Sequence, residues 1–262
     1  MWSDIAAAIT EHTGQLFELE DTRPVDGGCI NESYRIEAKD SRRFFVKTNA
    51  SDAQEMFSRE MSSLRILRET QSIFLPKPLK TGLSDNKAYL ILEYIDLGGT
   101  EKPALMGQQL ARLHLNNGEQ YGWHEDNFIG LTPQKNTTNY DWIDFYRSER
   151  LAYQLRLNHD KGHRYEHGTA LLDKIEAFFS GYTPVPSLLH GDFWTGNAAY
   201  TQNGFPVLFD PASYYGDRET DLAMTELFGG FSPELYEAYT MRHGHWMMAT
   251  LSASPSTSSI MF

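Results

Sequence analysis

The 262-residue chain carries 35 acidic against 23 basic side chains, a net charge of −12, with 40% apolar and 13% aromatic residues. That much apolar material supports one large domain or two lobes, and an acidic balance argues against non-specific nucleic-acid binding, which needs a basic face. There is no run of about 18 apolar residues to span a membrane, no secretory pattern in Met1–Gly14 and a single cysteine, Cys29, so the expectation is a soluble cytoplasmic protein without a disulfide framework.

In chain order, residues 4–14 read as a short amphipathic helix. Val25–Ile36 and Arg42–Thr48 read as strands around a turn at Ala38-Lys39-Asp40. Asp52–Glu69 has a capping aspartate and an apolar stripe of Met56, Met61, Leu64 and Leu67, which predicts a helix. Pro76 and Pro78 break the chain before Lys87–Tyr94, a strongly apolar strand, and Gly98-Gly99 marks a linker. Beyond it, Pro103–His114, Asp141–Leu157 and Thr169–Phe179 show helical spacing. The short apolar runs Ser187–Leu189 and Val207–Phe209 each lead into an Asp-bearing polar segment. The plan is two-lobed α+β: a sheet-rich nucleotide-binding lobe over 1–95, a helical catalytic lobe over 96–240, and an atypical tail over 241–262.

Chemistry concentrates in His190-Gly191-Asp192-Phe193-Trp194-Thr195-Gly196-Asn197, followed by Asp210-Pro211-Ala212. Phosphoryl transfer needs a carboxylate to orient the acceptor hydroxyl and oxygen ligands to hold Mg²⁺ on a triphosphate. The spacing resembles a kinase catalytic loop with His-Gly-Asp in place of His-Arg-Asp, making Asp192 the base and Asn197 and Asp210 the metal ligands. Either segment alone could be an ordinary turn; both at this spacing, each behind an apolar strand, are not readily so explained. Lys47 ends an apolar strand, and Glu60, thirteen residues on, lies on the predicted helix, where it could pair with the lysine. Gly27-Gly28-Cys29 is a Gly-rich turn able to bring backbone N–H groups to phosphate, and Glu93 and Ile95 are placed to offer backbone hydrogen bonds to adenine. Read in isolation, each of these is an ordinary turn, strand end or solvated face.

Taken together the residues resemble the fructosamine kinase (ketosamine-3-kinase) family, a branch of the aminoglycoside-phosphotransferase and protein-kinase-like fold. The matching blocks run from about Gly27 to Tyr239. They are Gly27–Asn31, Phe45-Val46-Lys47, Asp126–Gly130, Gln134-Lys135-Asn136, Asp141-Trp142, His190–Asn197, Asp210–Gly216, Glu219–Met224 and Leu227–Phe231. The resemblance implies ATP- and Mg²⁺-dependent phosphorylation of a sugar hydroxyl on ketoamine adducts of amines or protein lysines, giving an unstable product and so deglycation. It also implies nucleotide, base and metal roles for Lys47, Glu60, Asp192, Asn197 and Asp210. Trp194 could stack on the sugar, Asp221 could anchor the catalytic loop, and His190 could orient it by hydrogen bonds. Two rivals stay open: a kinase of another amino sugar or alcohol, and a non-catalytic nucleotide-binding pseudokinase, against which the intact Lys47, Asp192, Asn197 and Asp210 argue. The expected partners are a small molecule or a glycated protein, with no nucleic acid and no membrane. The chain is expected to be a monomer, with oxidation at Cys29, a turn thiol near backbone N–H groups, hypothesised to link two chains.

The ending departs from the family. Residues 238–262 hold no Asp or Glu but four of the nine methionines. Where the family continues through Trp-Pro-Leu-Asp and Tyr-Gln-Leu-Tyr-His segments, this chain reads Met241–Thr250 and a Ser/Thr-rich close. A one-base shift near codons 239–243 would restore the family ending, so the expectation is a frameshifted tail that leaves apolar surface of the second lobe uncovered.

Overall fold

Five antiparallel strands make the first sheet: β1 (Leu19–Pro24), β2 (Glu32–Ala38), β3 (Arg43–Ala50), β4 (Pro78–Ser84) and β5 (Lys87–Glu93), in spatial order β1-β2-β3-β5-β4. The computed structural model describes residues 1–25 and 30–243, with only the backbone of Arg242 and His243. By contacts the chain divides into two units: Met1–Glu101 with Ala199–Pro211, and Lys102–Ala198 with the described residues from Ala212 on. The sequence plan put a boundary at 95/96 and assigned 199–211 to the second lobe, whereas that segment returns to the first unit.

Side chains alternate across a strand. Val46 therefore joins Ile36 and Ile91 under helix α1 (Trp2–Thr13), whose Ile5 and Ile9 are fully buried. Lys47 goes to the opposite face, paired in register with Leu90. Helix α2 (Gln54–Glu69) packs on β4 and β5 with Met56, Phe57, Leu64 and Leu67 buried. Two expectations need correction here. The strand read at Val25–Ile36 is β2, which starts only at Glu32; β1, which the reading did not include, ends at Pro24, and Asp26–Cys29 lie outside the described residues. β1 has the sequence Leu-Glu-Asp-Thr-Arg-Pro, too polar to read as a strand, yet an edge strand tolerates charge and proline. β4 begins at Pro78, which reads as a breaker but lies at a sheet edge where no ladder bond is lost. The ribbon of β9 (Ala198–Tyr200) and β10 (Pro206–Leu208) lies against this unit, Leu208 N–H donating to the Phe74 carbonyl at 3.0 Å. A Cβ on Gly99 would meet the Thr201 carbonyl oxygen at 2.2 Å, so Gly98-Gly99 allows close backbone approach to that ribbon.

The second unit is mainly helical: α3 (Pro103–His114), α4 (Trp142–Phe145), α5 (Tyr153–Asp160), α6 (Gly168–Lys174), α7 (Glu219–Leu227) and α8 (Pro233–His243). Two small ribbons join it, β6 (Asn127–Ile129) with β7 (Thr132–Gln134), and β8 (Ser187–Leu188) with β11 (Tyr215–Gly216). The helix expected over Asp141–Leu157 is interrupted by a π-helical stretch, Tyr146–Ala152, between α4 and α5. Helices α3 and α8 pack so closely that a Cβ on Gly107 would sit 2.1 Å from the Leu235 carbonyl oxygen. Among the described residues no helix is long and apolar enough to cross a membrane. The expected frame change concerns residues that from 244 on lie outside the described ones.

Candidate active site

In the first unit, the Lys47 ammonium is 4% exposed and lies 2.7 Å from Glu60 Oε1. It also pairs with the Asp210 carboxylate, which β10 delivers to the same place. Burial alone would lower the Lys47 pKa, but the Asp210 and Glu60 carboxylates override it and hold the lysine above its ordinary value. Burial pushes the Glu60 carboxyl up to about 7 against the pull of Lys47, with Asp210 adding to the push. Asp210 adopts φ of +53°, a left-handed conformation uncommon for a residue with a side chain, and keeps its carboxylate about half exposed. Glu93 is committed locally: its N–H donates to the Lys77 carbonyl and its carboxylate accepts from Lys77 N–H at 3.0 Å. Ile95 lies two residues beyond the end of β5. Gly27, Gly28 and Cys29 lie outside the described residues.

In the second unit, the loop His190–Asn197 is held at its start by a buried carboxylate. Asp221, 1% exposed on α7, accepts the His190 N–H at 2.8 Å and the Gly191 N–H at 2.9 Å. His114 Nε2 lies 3.1 Å from the same carboxylate, and His114 Nδ1 lies 2.8 Å from the Tyr239 hydroxyl. Burial would raise the Asp221 pKa, but the His114 hydrogen bond, the electrostatic pull of the His114 and His190 imidazoles, and the Gly191 N–H keep it below the ordinary carboxylate value. Gly191 has φ of +85°, and a Cβ there would meet the Ala212 carbonyl oxygen at 2.0 Å. The loop and the segment after Asp210 therefore touch backbone to backbone, with Ala212 N–H donating to the His190 carbonyl at 3.0 Å.

Asn197 fixes Asp192: its Nδ2 donates to Asp192 Oδ2 at 2.7 Å and to the Asp192 carbonyl at 2.9 Å. With the amide nitrogen so used, Oδ1 is the acceptor atom that Asn197 offers elsewhere. Aromatic pairs clamp the loop on a second side. Phe193 stacks on Phe231 at 4.9 Å and 7°, and Trp194 packs on Phe228 at 4.9 Å. Gly229 and Gly230, at φ of +103° and +75°, make the turn that lets both phenylalanines reach it.

Some contributors were not singled out from sequence. On the ribbon of β6 and β7, Asn127 Nδ2 donates to the Ser213 carbonyl at 2.8 Å, and Gln134 Nε2 donates to the Ala212 carbonyl at 2.9 Å. Asn136 Nδ2 donates to Asn127 Oδ1 at 2.9 Å and Arg150 braces Asn136. These buried amides hold the backbone that follows Asp210. Their blocks supported the family resemblance, but nothing in spacing says whom an amide meets 86 residues away. His114 and Tyr239 are further cases; a histidine ending an apolar helix face was the available signal.

The Asn197 amide oxygen in the second unit and the Asp210 carboxylate in the first are each of the hard-oxygen type that Mg²⁺ accepts. Among the described residues no three His, Cys, Asp or Glu side chains cluster as a metal site of their own.

A buried lysine held by a helix glutamate in the first unit, and a loop aspartate held by an asparagine in the second, are the equipment of a phosphotransferase with the protein-kinase-like fold. A family model described as fructosamine kinase matches residues 1–244. A relative from Synechocystis named as a ketoamine kinase is 41% identical over 241 residues, covering 91% of this chain and 81% of its own. A chloroplastic protein-ribulosamine 3-kinase of Arabidopsis thaliana is 40% identical, covering 86% of this chain and 71% of its own. A solved structure named as a fructosamine-3-kinase, from Haemophilus somnus, superposes with a TM-score of 0.87 at 27% identity, covering 94% of this chain and 84% of the other. The chain belongs to the fructosamine kinase family.

Proposed function

We propose that the protein transfers the γ-phosphoryl group of ATP to a sugar hydroxyl of ketosamines, the adducts of sugars with amines or protein lysines, and so acts in deglycation. The observation that carries the reading is the double hydrogen bond of Asn197 to Asp192, which fixes a carboxylate in the orientation a general base needs. Asp192 accepts the proton of the attacking hydroxyl as its oxygen bonds to the γ-phosphorus. The bond from phosphorus to the β,γ-bridging oxygen breaks, and ADP leaves. Lys47, oriented by Glu60, meets the phosphates, while the Glu93 carbonyl and the Ile95 backbone would meet the adenine. Asn197 Oδ1 and the Asp210 carboxylate would hold Mg²⁺, whose charge offsets that of the phosphates. Trp194 would carry the sugar face. Phosphate set beside the ketosamine carbonyl leaves readily once the adduct enolises, and the amine is then released.

Phosphorylation of fructosyl-lysine and ribulosyl-lysine by Mg-ATP, compared between the parent and Asp192→Ala, tests this. The parent is expected to turn over at least one adduct and the variant to lose about 10³-fold or more in kcat. Equal ADP release from both would overturn it.

A further inference from the structure

The second unit holds a cavity of about 610 Å³, within the range of small-molecule sites. Gly191, next to Asp192, and Phe228 both line it, and Phe228 packs on Trp194, two residues after Asp192. Phe228 is 55% exposed although its neighbours Leu227 and Met224 also face the cavity. Part of the wall comes from the π-helical stretch, whose wider turn brings Tyr146, Arg150 and Leu151 to the lining; such turns recur at functional sites.

Two polar side chains of the lining, Arg150 and Gln134, already have protein partners. Arg150 donates to Asn136 Oδ1 at 2.8 Å and to the Lys135 carbonyl, and its guanidinium stacks on Tyr214 at 4.1 Å. Gln134 donates to Asn127 and to the Ala212 carbonyl. A cation tied down in this way does not call for an anionic ligand, and the rest of the lining is mostly apolar. In a ketosamine the reacting hydroxyl and the amine carbon are a few bonds apart. An adduct whose sugar lies at Trp194 must therefore send its amine substituent off close to Phe228.

Resting on the ketosamine reading above, we propose that this cavity takes the amine-derived arm of the acceptor and selects adducts whose arm is an aliphatic chain or an aromatic ring. The test uses the full chain with one sugar and a series of amines: the fructose adducts of glycine, of hexylamine and of benzylamine. The parent is expected to favour the hexyl and benzyl adducts over the glycine adduct by about tenfold or more in kcat/KM, a few buried methylenes sufficing for that. Leu155→Trp, on the cavity wall, is expected to collapse this ratio towards one. Because a ratio is read, a general loss of folded protein cancels, and a thermal melt reports that loss separately. Equal kcat/KM across the series, or a ratio that Leu155→Trp leaves alone, overturns the proposal. The second outcome accompanied by a changed oligomeric state would assign the cavity to another copy of the chain. If no adduct of any arm is phosphorylated, it is the ketosamine reading that fails, and this proposal goes with it.

Discussion

The Tyr239 hydroxyl stands 2.8 Å from Nδ1 of His114, and both side chains are sealed from solvent. Burial raises the Tyr239 pKa, so the phenol keeps its proton. Asp221 stays ionised and needs donors, so His114 presents its N–H from Nε2 and takes the Tyr239 proton donor on Nδ1. The last described helix thus fixes the tautomer that holds the backbone of the catalytic loop. Tyr239→Phe should leave the Nδ1 lone pair buried and unmet, costing about 1–2 kcal/mol in urea unfolding. It should also lower kcat a few-fold while the KM for ATP stays put, as steady-state kinetics would show.

That contact depends on how closely the two helices approach. Gly107→Ala places a methyl against the Leu235 carbonyl, which is backbone and cannot rotate away. Separating α3 from α8 should cost about 1–3 kcal/mol, and kcat should fall alongside Tm. A variant with parental Tm and parental kcat would show that the helices do not bear on each other there.

Glu219, at the start of α7, has its carboxyl pushed up to about 8 by burial and by Asp217, against Arg218. An acid with a raised folded pKa holds a proton that the unfolded chain gives up. Its contribution is therefore present at low pH and lost as pH rises from the ordinary glutamate value through about 8. Glu219→Gln should match the parent near about pH 4.5 and be more stable by about 1–2 kcal/mol near about pH 8.5. Urea melts at the two pH values decide it; a constant difference would remove Glu219 as the source.

Lys47 is the cation between two carboxylates. Lys47→Met should raise the KM for ATP at least about tenfold, since phosphates lose their one buried partner of opposite charge in that strand. Lys47→Arg should not restore it, because a planar fork cannot take the place of a point charge wedged between Glu60 and Asp210. Full rescue by arginine would count against the pairing described here.

Much of this arrangement is legible in the residues themselves. Local patterns fixed by period and breakers came through: α3 spans the residues read from the sequence, Pro103–His114, and the apolar run at Lys87 became β5. The pairing of Lys47 with Glu60 follows from strand alternation and a helix thirteen residues on. What did not come through depends on distant partners. β1 is stabilised by β2 rather than by its own polar sequence. The π-helical stretch interrupts a perfectly helical pattern for the sake of what surrounds it. His114 and Tyr239 are 125 positions apart and share no periodicity. Ala199–Pro211 follows the catalytic loop in sequence but packs with the first unit, because the Phe74 and Leu97 backbones bond to its ribbon.

Gly191 sits beside Asp192 and does no chemistry, yet any side chain there would collide with the Ala212 carbonyl. On the proposed function, a saturation scan of the protein would therefore score the two neighbours as equally intolerant, one for the proton it would take and the other for the room it leaves. Only a separate measurement of folded abundance would tell them apart: Asp192 variants would persist in the cell as inert protein, and Gly191 variants would be cleared.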